Sequence, residues 1–212
     1  MKALATTFAA LAILLPAARG ATTFAFEGSD LTSTTGTALG TTVQLQGAYW
    51  ETTDENGDPL TTPGFRADTS VTVLAADPST MGYGAAISGK AVNGVDGPLM
   101  FTFASPLTIA GFSIALDNSP FGNIPTVGGD PAFGTNVLFY DSADHLIGFI
   151  PLDQTVPGFT VGNTATYANV SKIVLPGGAY YDNMSLNTVP EPASAALAGL
   201  GVMLAFVRRR RA

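Results

Sequence analysis

The stretch that decides the fold reads Leu99-Met100-Phe101-Thr102-Phe103, then Ala104-Ser105-Pro106, then Leu107-Thr108-Ile109-Ala110-Gly111-Phe112-Ser113-Ile114-Ala115-Leu116. Apart from Met100 and the Ala110-Gly111 step, large side chains alternate with small or polar ones in both apolar runs, which is the period-2 pattern of a half-buried β-strand. The sequence therefore predicts two strands, at Leu99–Phe103 and Leu107–Leu116, separated by the serine and the proline.

Similar short runs recur on both sides of this stretch, and no amphipathic helical segment exceeds two turns. The further predicted strands are Thr23–Glu27, Thr42–Trp50, Thr69–Leu74, Gly84–Ser88, Asn136–Tyr140, Leu146–Ile150, Phe159–Val161, Lys172–Leu175 and Tyr180–Leu186. About eleven strands without crossover helices indicate an all-β domain, an antiparallel β-sandwich. We expect a jelly roll, because the first and last runs can pair and close the sheets. Ser119–Gly134, rich in glycine and proline, is expected to form a long rim loop.

The C-terminal segment has a different composition. Val189-Pro190-Glu191-Pro192 is followed by an uncharged run, Ala193–Val207, and then by Arg208, Arg209, Arg210 and Arg211. As a helix the run would be about 22 Å long, and arginine snorkelling with local thinning can fit it to a hydrocarbon core of about 30 Å. The sequence predicts a transmembrane helix at 193–207 whose basic tail, 208–211, lies in the cytoplasm. The alternative is a buried core helix with a solvated basic end, and the apolar surface all round the run argues against it.

The Val-Pro-Glu-Pro motif, a single short transmembrane helix and terminal arginines, in this order, resemble the PEP-CTERM sorting signal of Gram-negative bacteria. The resemblance covers residues 189–212. It implies that Pro190, Glu191 and Pro192 are recognised by an exosortase, a membrane-embedded cysteine transpeptidase, and that the chain is cleaved near the motif. It further implies release to the cell surface or into the extracellular polysaccharide matrix.

The N-terminus reads as a secretory signal peptide spanning residues 1–20. Lys2 supplies the positive region, Ala3–Leu15 is the apolar region, and Ala18 and Gly20 are the small residues of a cleavage site. We expect cleavage after Gly20, which leaves residues 21–188 as the exported domain. The protein would then pass through the inner membrane as an anchored intermediate with a cytoplasmic C-terminus.

The charge of the exported domain is strongly acidic. The whole chain has a net charge of −7, but residues 21–188 hold three cationic side chains, Arg66, Lys90 and Lys172, against fifteen carboxylates, a net charge of −12. This balance argues against nucleic acid and anionic surfaces as partners and suits divalent cations or neutral glycans. The chain has no cysteine, which excludes disulfides, cysteine catalysis and thiolate metal sites within it.

Two polar segments contain residue types found in functional sites, but their sequences are better explained as hairpin turns. Asp54-Glu55-Asn56-Gly57-Asp58 lies between strand-like segments, and Asn-Gly predicts a type I′ hairpin turn. A calcium loop is the alternative, but its glycine is misplaced and Phe65 stands where a bidentate glutamate would be needed. Tyr140–His145 holds serine, aspartate and the single histidine, yet neighbours within one tight turn cannot converge as a catalytic triad, so we expect a second hairpin.

A structural calcium ion is suggested by the two ends of the exported domain. Glu27 ends the first predicted strand, and Asp182 and Asn183 lie in the middle of the last, where both residue types are disfavoured. The pattern is similar to that of jelly-roll carbohydrate-binding modules, which implies Glu27 and Asp182 as ligands, with backbone carbonyls completing the shell. The alternative is that Asp182 and Asn183 form hydrogen bonds at a sheet edge.

Trp50 is the single tryptophan and follows Tyr49, so one of the two side chains points out of the sheet if they lie on a strand. An outward Trp50 could stack on a sugar ring, whereas an inward one would be part of the core. The sequence thus supports a non-enzymatic exported surface or matrix protein, with a glycan-binding or structural domain. The alternative is an exported glycan hydrolase that uses two of the carboxylates.

Overall fold

The computed structural model describes residues 20–26, 41–68, 75–76, 87, 89–94, 97–117, 136–152 and 159–189. These residues form eleven strands and no helix: β1 (Gly20–Phe24), β2 (Val43–Thr53), β3 (Pro59–Asp68), β4 (Ala75–Ala76), β5 (Ala91–Asn93), β6 (Leu99–Asp117), β7 (Asn136–Tyr140), β8 (Leu146–Pro151), β9 (Phe159–Asn163), β10 (Tyr167–Leu175) and β11 (Tyr180–Val189). The predicted all-β class is confirmed. None of the described residues belongs to a helix with the length and apolar character needed to cross a membrane. Of the predicted signal peptide, residues 1–20, only Gly20 is described, as the first residue of β1, and the predicted transmembrane helix 193–207 lies outside the described residues.

The strands belong to one antiparallel sheet, which runs β4-β5-β11-β6-β10-β7-β8. In addition, β1 pairs with β11, β2 and β9 pair with β6, and β3 pairs with β2. The long strand β6 is central: β2 and then β11 pair with one of its edges, while β10 and then β9 pair with the other.

The sheet folds over along β6, so that two layers enclose one core. Phe24 is the last residue of β1, and Phe26 follows two residues later. Their ring centroids lie 6.0 and 6.1 Å from that of Phe101 in the first half of β6. Phe112, in the second half of β6, lies 5.6 Å from Phe139 of β7. Rings from the two layers therefore meet across a shared interior, as the predicted sandwich requires. The jelly-roll connectivity stays a prediction.

The first and last strands pair, as the sequence predicts. β1 lies antiparallel to β11, with Gly20 opposite Thr188 and Phe24 opposite Met184. β1 is shifted by three residues toward the N-terminus relative to the predicted strand, Thr23–Glu27. It ends before Phe26 because that residue has a left-handed backbone (φ 50°), which stops the extended conformation. The start of β1 and the end of β11 consequently lie side by side.

The prediction of a break between two strands at Ser105–Pro106 was wrong, since β6 is continuous from Leu99 to Asp117. On one edge of β6 the pairing with β2 extends as far as Phe103, and the pairing with β11 begins at Thr108. On the other edge the pairing with β10 is irregular over the same residues. Pro106 falls in this gap, so no regular ladder position depends on the N–H that proline lacks.

β3 was not predicted, because Pro59, Pro63 and Gly64 argue against a strand. Among the described strands β3 pairs with β2 alone, and an edge strand tolerates residues that cannot donate to a ladder. The short β5 and the two-residue β4 were also missed. The predicted strand Thr69–Leu74, all of Gly84–Ser88 except Ile87, and the predicted rim loop lie outside the described residues.

The β2–β3 hairpin crosses the outer face of one layer and buries a second apolar cluster there. The Phe65 side chain of β3 is 2% exposed, and its ring centroid lies 5.0 Å from Trp50 and 6.1 Å from Tyr140. Lys172 Nζ, on β10, donates to the Phe65 carbonyl at 3.3 Å. The buried members of this outer cluster are Ala48, Phe65, Met100, Leu138, Tyr140 and Val174.

Candidate functional site

A groove of about 580 Å³ opens on the outer face of the layer formed by β1, β11, the second half of β6, and β9. Its volume lies within the range of about 300 to 1,000 Å³ that is usual for small-molecule sites. The residues that line it are Ala110, Gly111, Phe112, Ser113, Gly162, Asn163, Thr164, Thr166 and Asn187. Side-chain hydroxyls and amides supply its polar groups, and none of these residues carries a charge.

The floor of the groove follows from cross-strand pairing, because residues directly opposite each other project to the same face of a sheet. Ser113 pairs with Gly162, and both line the groove. Their row continues on the same face of the sheet beyond the lining residues, with Ser185 opposite Ser113 and Thr23 opposite Ser185. Thr23 Oγ1 donates to Ser185 Oγ at 3.4 Å. The side chains of this row are small, so none of them rises far above the face of the sheet.

Two glycines shape the floor: Gly162 leaves it clear, and Gly111 makes room for the Asn187 side chain. A Cβ atom at Gly162 would have no heavy atom within 4 Å, so a side chain there would project into open space. A Cβ atom at Gly111 would lie 2.8 Å from Asn187 Nδ2, which shows that the Asn187 amide lies directly over this glycine. The groove therefore depends on residues that have no side chain.

The wall beyond β9 is held by a short network. Asn163 Oδ1 accepts a hydrogen bond from the Ala165 N–H at 2.6 Å, and Tyr167 Oη donates to the Phe149 carbonyl at 3.2 Å. The Tyr167 ring stacks on Phe139 at 4.4 Å with an interplanar angle of 14°, and burial raises the pKa of its hydroxyl. These contacts fix the segment that carries Thr164 and Thr166.

Sequence reasoning did not find this groove. The outward positions Gly111, Ser113 and Asn187 are visible as the polar half of a period-2 pattern. The signal that unites them is the register between strands distant in the chain, and a single sequence does not contain it.

Trp50, the predicted sugar platform, lies in the outer cluster rather than in the groove. It is half-buried and packs at 62° against Phe65, so its ring forms part of an apolar contact. Tyr49 is the more exposed member of the pair, at 43%, and its hydroxyl donates to Glu51 at 3.3 Å. Glycan binding by Trp50 stays a prediction.

Asp182, one of the two predicted calcium ligands, is completely buried in β11. Its Oδ1 accepts from the Asn183 N–H at 2.6 Å and its Oδ2 from Asn183 Nδ2 at 2.7 Å, while Asn183 has a left-handed backbone (φ 48°) at a bulge. Glu27, the other predicted ligand, lies outside the described residues. Within the described part of the chain, no group of three or more His, Asp or Glu side chains is placed to hold a metal ion.

Calcium needs about six to eight oxygens, and Asp182 supplies two that Asn183 already engages, so calcium binding stays a prediction. A melting temperature that calcium raises and excess chelator lowers would support it. Superimposable melts would refute it.

The charges of the described residues converge on a different point, Asp144. Its Oδ2 accepts from Arg66 Nη1 at 2.6 Å, and its Oδ1 accepts from Lys172 Nζ. Arg66 Nε also donates to Glu51 Oε2 at 3.0 Å. Two of the three cations of residues 21–188 thus tie the β2–β3 hairpin to the turn between β7 and β8. We interpret this cluster as a structural clamp.

The two polar turns are hairpins, as predicted, but the first is not the type I′ turn that Asn-Gly predicts. In the first, the Gly57 N–H donates to the Asp54 carbonyl at 3.0 Å, and Gly57 alone has a positive φ (86°). Type I′ would need a positive φ at two central residues, so this is a type I turn followed by a left-handed residue. The prediction of type I′ was wrong because Asn56 keeps an ordinary backbone.

The second turn repeats the same design. Asp141 Oδ1 accepts from the N–H groups of Ala143 and His145 at 2.8 and 2.9 Å, just as Asp54 Oδ1 accepts from Asn56 and Asp58. His145 Nδ1 lies 3.1 Å from Asp141 Oδ2 in an exposed position. These hydrogen bonds are those of a turn.

The end of β11 leads to the C-terminal motif. Val189 is the last described residue, it pairs with Thr108, and Pro190 follows it directly in the chain. The family model of the PEP-CTERM protein-sorting motif matches residues 188–211. This chain carries a PEP-CTERM sorting motif. No curated protein and no solved structure matches this chain.

The PEP-CTERM match confirms the resemblance seen in the sequence and marks the chain as an exported protein sorted by an exosortase. It includes the core of the motif, Pro190, Glu191 and Pro192, and the four arginines, Arg208, Arg209, Arg210 and Arg211, all of which lie outside the described residues. It also overlaps the described end of β11 at Thr188 and Val189. The sorting motif therefore begins within the folded sheet.

Proposed function

We propose that this chain is a non-enzymatic protein of the cell surface or extracellular matrix. An exosortase engages Pro190, Glu191 and Pro192 while Ala193–Val207 spans the inner membrane and Arg208–Arg211 stay in the cytoplasm. The exported sandwich then acts outside the cell as a glycan-binding or structural unit. The observation that supports this proposal is the PEP-CTERM match at residues 188–211.

The arrangement of the chain ends supports the same route. Gly20, the last residue of the predicted signal peptide, lies opposite Thr188. Both membrane-linked segments therefore leave the domain at one end of the β1–β11 pair. The domain can complete its sheet while that end faces the bilayer.

Mass spectrometry of the C-terminal peptides tests the proposal. The natural host and a derivative that lacks its exosortase would be separated into membrane and released fractions. We expect peptides from 193–207 in the membranes of the exosortase-deficient strain and their loss from the released protein of the parent. An uncleaved chain with the same distribution in both strains would refute exosortase sorting.

The hydrolase alternative would require two carboxylates about 5 to 10 Å apart in a cleft. Within the described residues, the lining of the groove includes no carboxylate, and the pair Glu51 and Asp144 is joined through Arg66. Release of reducing sugar from a glycan by the purified protein, abolished by a single carboxylate substitution, would favour the hydrolase over our proposal.

A further inference from the structure

We infer that the groove over Gly111, Ser113 and Gly162 is a binding site for a neutral glycan chain. This inference rests on the proposed function, because it assigns a ligand to a domain that works outside the cell. It differs from stacking on Trp50, which lies in the outer cluster of the other layer.

The electrostatics of the groove select the class of ligand. Its lining residues have no charge, although the domain around them has a net charge of −12. An anionic polymer would meet the repulsion of the whole domain without a cation to bind, and a metal ion would meet no carboxylate in the lining. An uncharged ligand avoids both costs.

The hydrogen-bonding groups that line the groove narrow the class of ligand further. Ser113, Thr164 and Thr166 can each donate and accept through a hydroxyl, and Asn187 offers an amide group. The amide of Asn163 already accepts from the Ala165 N–H and donates to Tyr167 Oη. A sugar ring presents neutral hydroxyls that both donate and accept, so it can satisfy such a lining from several directions. The mixed character of the lining therefore fits a polyol better than an apolar ligand.

The shape of the groove favours a chain rather than an enclosed small molecule. Ser113 and Gly162 line the groove, and their row continues on the same face through Ser185 and Thr23. Neighbouring strands are about 4.8 Å apart, so this row of the sheet is roughly 14 Å wide, and the groove occupies one end of it. A Cβ atom at Gly162 would meet no heavy atom within 4 Å, so the groove is unobstructed at this residue. An extended oligosaccharide can lie along this row.

The same geometry provides a blocking variant that should fold. Gly162→Tyr places a ring in the groove, and it adds a residue favoured in strands at a position where its Cβ atom meets nothing. Gly97→Tyr is the matched control, because a Cβ atom there is equally unhindered and Gly97 precedes β6, far along that strand from Gly111.

Isothermal titration of the purified full chain with maltohexaose, cellohexaose, mannohexaose and chitohexaose tests the inference, with hexagalacturonate as the anionic comparison. We expect at least one neutral hexasaccharide to bind, with affinity lowered about tenfold or more by Gly162→Tyr and changed less than about twofold by Gly97→Tyr, a tenfold change being about 1.4 kcal/mol. Hexagalacturonate should not bind.

The inference is overturned if no neutral hexasaccharide binds the wild type, if the anionic one binds best, or if Gly162→Tyr binds as the wild type does. Its failure is separable from that of the proposed function, because both tyrosine variants should be sorted and cleaved as the wild type is. Normal sorting without glycan binding would refute the groove alone.

Discussion

Asp144 combines an unfavourable backbone with a favourable set of contacts. Its φ of 65° is left-handed, at the position that Gly57 occupies in the other turn, and its carboxylate binds both Arg66 and Lys172. Aspartate tolerates this conformation better than most residues, at a cost of about 1 to 2 kcal/mol. The turn uses a strained residue because the side chain is needed to clamp the β2–β3 hairpin.

The structural clamp at Asp144 predicts that two substitutions there differ in their effect on stability. Asp144→Ala removes the ion pairs and keeps the strain, and should lower the free energy of unfolding by about 2 to 3 kcal/mol. Asp144→Gly removes both, and should be more stable than the alanine variant by about 1 kcal/mol. Urea unfolding, followed through the fluorescence of the single tryptophan, measures the order. An alanine variant as stable as the wild type would contradict the clamp.

The two turn aspartates predict a loss of stability in acid. The pKa of Asp54 is lowered mainly by the backbone N–H of Asp58, and that of Asp141 mainly by the backbone N–H of His145. Because the folded pKa values lie below the ordinary value, their contribution is present above about pH 4 and is lost as the pH falls through the folded pKa. The double variant Asp54→Asn, Asp141→Asn should therefore show a smaller difference in urea midpoint between pH 3 and pH 7.

Glu55→Gln, a substitution of an exposed carboxylate in the first turn, is the matched control and should keep the acid sensitivity of the wild type. An unchanged pH dependence in the double variant would show that these hydrogen bonds do not govern acid stability.

At the scale of elements, the β2–β3 hairpin serves as a cover for the outer cluster. Phe65→Ala should expose Met100, Leu138 and Val174 and lower the free energy of unfolding by about 3 to 5 kcal/mol. Tyr49→Ala, on the exposed side of the same hairpin, should leave the urea midpoint nearly unchanged. Urea midpoints of the two variants make the comparison, and equal effects would mean that the hairpin does not cover a core.

The sequence predicts strands well where alternation is strong and poorly where position in the sheet decides. Asn136–Tyr140 was predicted to the residue because four consecutive apolar and aromatic residues, Val137–Tyr140, stand between the turn-forming residues Gly134 and Asp141. β3 and the continuity of β6 were missed because prolines were interpreted without knowledge of which sheet edge or gap would receive them. Local propensity does not contain that information.

The same limit applies to the sites. The sorting motif was readable because Pro190, Glu191 and Pro192 are contiguous and recognition depends on their order. The groove was not readable because Ser113, Gly162 and Asn187 meet only through strand register. A motif of contiguous residues can be recognised in the sequence alone, whereas a site formed by residues of several strands can be recognised only when the fold is known.

At the scale of the whole molecule, the chain ends and the sorting motif share one location. Gly20 lies opposite Thr188, and β11 runs to Val189 without a spacer before Pro190. The four residues from Val189 to the predicted helix at Ala193 span at most about 14 Å. The sheet would therefore remain close to the membrane until the motif is processed.

Replacement of Pro190, Glu191 and Pro192 by alanine tests the central claim most directly, because it removes the motif and leaves the sheet, the apolar run and the arginines in place. The measurement is the share of the chain in the membrane and released fractions of an exosortase-bearing host. We predict that the wild type is released without its C-terminal run and that the variant is retained in the membrane with that run intact. An identical distribution and an identical C-terminus for the two proteins would contradict the account.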